Sequence, residues 1–132
     1  MDFGLLGRVA LITGGGRGIR FAHARLLGAE GATVVINELD ANTAERAIVE
    51  LKERGIDAVF YLGDAANELV VKRTVQDIGN RFGRLDILIN NAGIGVKPAY
   101  EIENMPAEAW DKMIEVHMKS TFLWSREVIP AM

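Results

Sequence analysis

Residues 13–20 read Thr13-Gly14-Gly15-Gly16-Arg17-Gly18-Ile19-Arg20, a glycine-rich run between two regular patterns. Before it, the apolar run from Arg8 to Thr13 predicts a strand buried on both faces of a parallel sheet. After it, apolar residues recur at helical spacing, at Ile19, Ala22, Leu26 and Ala29. Gly31 is expected to end this helix. A strand that enters a helix through glycines gathers backbone N–H groups and the positive helix end at one point. The run therefore predicts an anion site, typically for a pyrophosphate, although a tight turn without a ligand is the alternative.

Strand and helix patterns alternate along the rest of the chain. They predict strands over 32–37, 56–62 and 85–90 and helices over about 42–54 and 67–82, the last with its inward candidates at Leu69, Val70, Val75 and Ile78. A longer loop over 91–105 precedes a helix that begins near Pro106 and continues toward Val128. This order predicts one domain over residues 1–132 with an α/β fold. We expect a Rossmann-like, doubly wound parallel sheet of about four strands in three αβα layers, with an unpaired edge at the fourth strand.

Composition limits the classes of function. The 132 residues carry a net charge of −3, which gives a nucleic-acid partner no electrostatic support. The chain has no cysteine, so disulfides, thiolate metal sites and cysteine nucleophiles are excluded, and we expect no metal site. The first residues do not resemble a signal peptide, and no apolar stretch approaches the roughly 20 residues that span a bilayer. We therefore expect a cytoplasmic protein without a membrane partner.

A carboxylate follows the second predicted strand. Glu38 comes 24 residues after Gly14, where it could accept hydrogen bonds from the adenosine ribose of a dinucleotide and repel a 2′-phosphate. A solvated acid at a strand end is the alternative. Arg17 favours the opposite cofactor, because an arginine beside the turn could pair with a 2′-phosphate. We therefore expect NAD, favoured by Glu38, with NADP left open. The chain has no Gly-Lys-Ser or Gly-Lys-Thr, which argues against a nucleoside triphosphate hydrolase.

These motifs resemble those of the short-chain dehydrogenase/reductase family. Thr13-Gly14-x-x-x-Gly18-Ile19 looks like the family's Thr-Gly-x-x-x-Gly-x-Gly, and Asn90-Asn91-Ala92-Gly93 looks like its Asn-Asn-Ala-Gly. Trp110-Asp111 and the run 116–122 look like its fourth-helix segment. The resemblance implies an NAD(P)-dependent oxidoreductase that transfers hydride between a nicotinamide cofactor and an alcohol or carbonyl substrate.

The resemblance also implies which residues bind the cofactor. Gly14 and Gly18 would line the pyrophosphate, Ile19 would lie near the nicotinamide, and Asp64 would lie at the adenine. The full implied set is Thr13, Gly14, Gly16, Arg17, Gly18, Ile19, Glu38, Asp64, Ala65, Asn91, Ala92 and Gly93. For the segment from Asn90 to Gly93, a polar turn that steadies the sheet is a second interpretation that overlaps with the first.

Two residues depart from the family pattern within this set of motifs. Arg20 stands where the family has its last glycine. Its side chain would either contact the cofactor phosphates or crowd the turn, and we expect crowding to weaken binding. His117 stands where the family has an asparagine of the catalytic proton relay. Its ring could replace that asparagine, because imidazole both donates and accepts, or it could be a structural residue on a helix face.

The family's general acid is a tyrosine followed four positions later by a lysine. Here Ala65 follows Tyr61 at that spacing and Asn104 follows Tyr100, so neither pair matches. We therefore expect the chain to be the cofactor-binding half of such an enzyme, truncated before the Ser/Tyr/Lys segment and inactive alone. A small alcohol or carbonyl substrate would bind only in a full-length form, and we expect a homo-oligomer. The alternative is a non-catalytic dinucleotide-binding module.

Overall fold

The computed structural model describes residues 1–16, 18–94 and 98–132. Its strands are β1 (Val9–Thr13), β2 (Thr33–Glu38), β3 (Ala58–Leu62) and β4 (Ile87–Ile89). Its α-helices are α1 (Gly18–Ala29), α2 (Ala41–Glu53), α3 (Glu68–Phe82), α4 (Ala107–Ile114) and α5 (Ser120–Val128). A π-helical segment, Glu115–Lys119, joins α4 to α5, and short 3₁₀ turns lie at Ile102–Asn104 and Ile129–Ala131. In the described residues, no helix combines the length and the apolar character that crossing a bilayer requires.

The four strands form one parallel sheet in the order β3-β2-β1-β4. β1 is central: Ala10 pairs with Val34 of β2 on one side and with Ile87 of β4 on the other. All of β1 is buried, which explains its almost continuous apolar sequence. The predicted α/β fold with a Rossmann-like parallel sheet is confirmed.

Helices cover both faces of this sheet. On one face Val9 and Leu11 pack in a cluster with buried residues of α3 and α5, which are Val71, Val75, Ile78, Leu123, Trp124 and Val128. On the other face Ile12 packs in a cluster with buried residues of α1 and α2, which are Ala24, Ala47, Ile48 and Leu51. The result is a three-layer αβα arrangement in which the carboxyl ends of the strands meet at one edge of the sheet.

In α1 a different face turns inward from the one that its apolar spacing suggested, whereas in α3 the prediction holds for two of the named residues and fails at the start of the helix. In α1, Leu26 is 61% exposed, and Ala24 is buried instead. Small residues on the inner face let this helix approach its neighbours closely, since a Cβ on Gly28 would lie only 2.3 Å from Ile56 Cγ2. In α3 the predicted Val75 and Ile78 are buried. Leu69 is 54% exposed instead, because residues two apart point to different sides of a helix and Val71 faces the core.

The predicted single helix from Pro106 toward Val128 is interrupted by the π-helical segment. Two hydroxyl groups just after this segment bond to carbonyl groups within it, each four residues earlier in the chain. Ser120 Oγ donates to the carbonyl of Val116, and Thr121 Oγ1 donates to that of His117 at 2.9 Å. Local hydroxyls thus stabilise an irregularity that apolar periodicity does not reveal.

Asp86 joins β1 to the segment before β4 at the amino end of the sheet. Its Oδ2 accepts a hydrogen bond from Val9 N at 2.9 Å, and its two oxygens receive Arg84 Nε and Nη2 at 2.8 and 2.7 Å. Arg8 Nη1 lies 3.0 Å from Oδ1. The hydrogen bond from Arg84 is the main reason why the pKa of Asp86 lies well below its usual range.

We predict that Asp86→Asn lowers the free energy of unfolding at pH 7 by about 1–2 kcal/mol, because charge-assisted bonds become weaker neutral ones. A carboxyl group with a depressed pKa in the folded state stabilises the fold above its unfolded pKa and loses that effect as the pH falls through lower values. The difference between wild type and variant therefore shrinks below about pH 5. Urea unfolding at pH 7 and pH 3 measures it. Glu103→Gln is the control, since Glu103 is exposed. Equal stability of wild type and Asp86→Asn at pH 7 contradicts the prediction.

Candidate functional site

Two adjoining cavities lie at the carboxyl edge of the sheet. The larger, of about 800 Å³, is lined by Gly14, Glu38, Asp64, Ala65 and Ala92 among others. The smaller, of about 550 Å³, is lined by Gly18, Ile19, Asn91 and His117 among others. The crossovers from β1 to β2 and from β3 to β4 leave a crevice between β1 and β4, which is where ligands bind in doubly wound sheets.

The end of β2 holds the glycine-rich turn in place. The carbonyl of Asn37 accepts hydrogen bonds from Gly14 N at 2.6 Å and from Gly15 N at 3.3 Å. Glu38 Oε2 accepts one from Gly16 N at 3.2 Å. These three N–H groups are therefore committed within the protein. The groups that a helix leaves available for an anion are the first N–H groups of α1, beginning at Gly18.

Gly14 needs to be glycine for two reasons. Its φ is +61°, in the left-handed region that residues with a Cβ rarely adopt. A Cβ at this position would also lie 3.3 Å from Ala92 Cα and 2.7 Å from Arg20 Nη1. The turn after β1 and the loop after β4 consequently approach each other more closely than larger residues allow.

Thr13 links these two segments from behind the cleft. It is 1% exposed, and its Oγ1 accepts hydrogen bonds from Asn91 N and Ala92 N, each at 2.9 Å. The same hydroxyl donates to Ile89 O at 3.4 Å. Thr13 was predicted to bind the cofactor; the structure places it where it positions the loop that lines the cleft.

One end of the larger cavity is acidic. Glu38 is 8% exposed, and its Oε1 accepts hydrogen bonds from Leu39 N at 3.0 Å and Asp40 N at 3.4 Å. Asp64 Oδ1 accepts one from Ala66 N at 2.8 Å. Backbone groups thus hold both carboxylates in fixed positions beside the cavity, where they can accept further hydrogen bonds from a ligand.

Two further contacts support this acidic end. Asn37 is buried, and its Nδ2 donates to Gly63 O at 3.1 Å, which ties β2 to the loop after β3. Trp124 is fully buried, and its Nε1 donates to Ala65 O at 3.0 Å. Sequence reasoning missed both residues. A buried asparagine at the end of a strand was the available signal for Asn37, since an amide there must bond to neighbouring backbone.

His117 lies at the opposite end of the cleft, in the π-helical segment. Its Nε2 is 2.8 Å from Ile94 O and 3.1 Å from Ile94 N, so the ring bonds to this backbone in either tautomer. A Cβ on Gly93 would lie 2.4 Å from His117 Cε1, so only glycine fits beneath the ring. The loop after β4 is further tied by Asn90 Nδ2, which donates to Ser125 Oγ at 3.1 Å.

The structure brings together nearly all the residues predicted for the cofactor. Gly14, Glu38, Asp64, Ala65, Ala92 and Gly93 line the larger cavity, and Gly18, Ile19, Asn91 and Gly93 line the smaller one. Gly16 lies behind Glu38, to which its N–H donates. Arg17 lies outside the described residues.

Comparison with known proteins identifies relatives of this arrangement. A sequence profile of the family described as short chain dehydrogenase matches residues 8–132. The chain is 38% identical over 125 residues to an oxidoreductase of Bacillus subtilis (strain 168), covering 95% of the chain and 48% of that protein. It is 37% identical over 126 residues to the cyclopentanol dehydrogenase of Comamonas sp. (strain NCIMB 9872), covering 95% of the chain and 49% of that protein.

A solved structure gives the same result for the fold. A metagenomic short-chain oxidoreductase in complex with NADP superposes with a TM-score of 0.88 at 33% identity, over 96% of this chain and 57% of that one. The chain spans about half the length of the curated relatives that it matches.

We predict that Thr13→Val lowers the free energy of unfolding by about 2 kcal/mol, because it removes the acceptor of the partly buried N–H groups of Asn91 and Ala92. Thr13→Ser is the matched control, since it keeps the hydroxyl and loses only a methyl group. We expect it to retain most of the stability that the valine variant loses. Urea unfolding of the three proteins measures the difference. A valine variant as stable as wild type would show that the hydroxyl does not hold the loop.

Proposed function

The chain belongs to the short-chain dehydrogenase/reductase family, a family of oxidoreductases, and from this membership we propose that it is the cofactor-binding half of a nicotinamide-dependent enzyme. The observation that carries the proposal is the pair of adjoining cavities at the carboxyl edge, which together offer room for both halves of a dinucleotide. The solved relative in complex with NADP supports it.

The larger cavity suits the adenosine half. Glu38 and Asp64 present carboxylate oxygens there, and these accept hydrogen bonds from ribose hydroxyls and from the adenine amino group. N–H groups of Gly16 and Leu39 hold the carboxylate of Glu38 in place. The carboxylate cannot turn away from the 2′-phosphate of NADP without breaking those hydrogen bonds. We therefore propose a preference for NAD over NADP.

The smaller cavity suits the nicotinamide half. Once bound, the nicotinamide ring supplies the hydride acceptor or donor for oxidation of an alcohol or reduction of a carbonyl group. The chain's own residues bind and orient it: the first N–H groups of α1 face the cleft, and Gly93 leaves space between the loop after β4 and His117. His117 holds the end of that loop through Ile94, so we propose that it positions the cofactor site.

A second candidate function is dinucleotide binding without chemistry. Neither tyrosine of this chain has a lysine four positions later. The sequence therefore lacks the Tyr-x-x-x-Lys pair that supplies the general acid in the family. We propose accordingly that these 132 residues bind the cofactor and do not turn over an alcohol by themselves.

We predict saturable binding of NADH by the chain, measured by the change in NADH fluorescence. Gly14→Ala is expected to raise the dissociation constant at least tenfold, because its Cβ points toward Ala92 and its φ is unfavourable. Gly79→Ala is the matched control, since a Cβ on Gly79 meets nothing within 4 Å. The absence of any NADH binding by wild type would overturn the proposed function. Formation of NADH from NAD and a secondary alcohol by this chain would overturn only the proposal that it is inactive alone.

We predict that Glu38→Gln lowers the dissociation constant for NADPH relative to that for NADH by roughly tenfold, because the amide no longer repels a 2′-phosphate. The glutamine oxygen can accept the hydrogen bond from Gly16 N, whereas its amide nitrogen is a donor and cannot replace Oε1 as the acceptor for Leu39 N and Asp40 N. Melting curves therefore accompany the binding measurement. Glu45→Gln, at an exposed position of α2, is the control for the change in net charge. An unchanged ratio of the two dissociation constants would show that Glu38 does not select the cofactor.

A further inference from the structure

Arg20 lies where the two cavities meet. It lines both of them, together with Gly93 and Ile94. Its Nη1 is 2.7 Å and its Cδ is 3.5 Å from the point that a Cβ on Gly14 would occupy, and Ala92 Cα is 3.3 Å from the same point. The side chain therefore extends from the first turn of α1 into the crevice between β1 and β4. Any ligand that occupies both cavities has to pass it.

The charge of Arg20 has no carboxylate partner among the described residues. The guanidinium groups of Arg8 and Arg84 pair with Asp86, and Lys112, which also lines the larger cavity, pairs with Glu115 at 3.6 Å. Arg20 forms no ion pair with any residue in the described ranges 1–16, 18–94 and 98–132. The nearby carboxylate of Glu38 is instead bonded to backbone N–H groups.

The location makes an unpaired cation more unfavourable still. Arg20 is in the first turn of α1, where the helix dipole and the unsatisfied N–H groups are positive. It is also half-buried, which removes part of its hydration. An anion in the crevice would offset both costs, since it would neutralise the guanidinium and accept hydrogen bonds from the helix N-terminus.

We propose that Arg20 binds the diphosphate group of the dinucleotide and is a positioning residue for the cofactor in this chain. The inference rests on the proposed function. A dinucleotide with its adenosine in the larger cavity and its nicotinamide in the smaller one places its diphosphate between them, beside Arg20. The planar guanidinium can donate two parallel hydrogen bonds to phosphate oxygens. The alternative, that Arg20 crowds the turn, predicts that its removal strengthens binding.

The test compares Arg20→Met, Arg20→Gln and Arg20→Lys with wild type by calorimetry, using NADH, ADP-ribose and adenosine as ligands. Methionine and glutamine remove the charge, whereas lysine keeps it without the bidentate geometry. Arg25→Met is the matched control: Arg25 lies in the same helix, is exposed, and changes the net charge equally.

We expect Arg20→Met and Arg20→Gln to raise the dissociation constants for NADH and ADP-ribose about tenfold, with Arg20→Lys in between. The value for adenosine, which has no phosphate, stays unchanged, as do all values for Arg25→Met. Added salt weakens NADH binding more in wild type than in Arg20→Met, because screening acts on the charge that the variant lacks.

Equal or tighter binding of NADH and ADP-ribose by both neutral variants overturns the role of Arg20 and leaves the proposed function intact. An equal loss for adenosine also overturns it, because the effect would then be on the fold of the cleft. If wild type binds none of the three ligands, the proposed function fails and this inference fails with it. Melting curves of each variant separate loss of contact from loss of folding.

Discussion

The hydroxyl group of Thr13 positions the loop after β4, which forms one edge of the cleft. β1 and β4 are neighbours in the sheet, yet Thr13 and the loop that it holds are 78 and 79 residues apart in the chain. Residues 90–94 of that loop form no helix or strand, so their N–H groups need acceptors from elsewhere. Because Thr13 is the last residue of β1 and fully inside the core, its hydroxyl is as fixed as the sheet. The position of Ala92, and through it the width of the crevice above Gly14, depends on the two hydrogen bonds that this hydroxyl accepts.

Under the proposed function, Glu38 connects folding and recognition in the same way. A carboxylate that only contacted a ligand would be free to turn toward solvent when the site is empty. Here its oxygens accept hydrogen bonds from Gly16, Leu39 and Asp40, so its orientation is set before any ligand arrives. A hydrogen-bond acceptor that is already oriented loses little conformational freedom when a ligand binds. The affinity is therefore higher than that of a mobile acceptor that makes the same contacts. It also means that the same residue stabilises the glycine-rich turn, so the two roles cannot be separated by removing the side chain.

The sequence was informative where local pattern and tertiary structure agree. The apolar run that became β1, the glycine-rich turn and the polar segment after β4 all keep their predicted places, because a buried parallel strand and a left-handed turn each demand particular residue types. The inner face of α1 could not be predicted, since both Leu26 and Ala24 fit an apolar stripe and close packing decides between them. The hydrogen bonds from the loop after β4 to Thr13 join segments that are far apart in the chain. The π-helical segment is accompanied by hydrogen bonds from hydroxyl groups to carbonyl groups. Apolar periodicity records neither. The direction of the Arg20 side chain depends on the space that Gly14 leaves open.

The two ends of the cleft differ in how firmly the fold supports them. The acidic end rests on the core: Asn37 is buried, and Trp124, also buried, bonds to Ala65. The end at His117 rests on less. All eight residues of α4 are described and none is buried, and in the π-helical segment only Val116 is. Its contacts with the loop after β4 include that of the exposed imidazole of His117 with the backbone of Ile94, and Asn90 bonds to Ser125 in the helix that follows. Segments with few buried contacts open at a lower free-energy cost than the core does. The acidic end therefore rests on more buried contacts than the end at His117 does, and this difference in burial is the physical reason to expect it to open less readily.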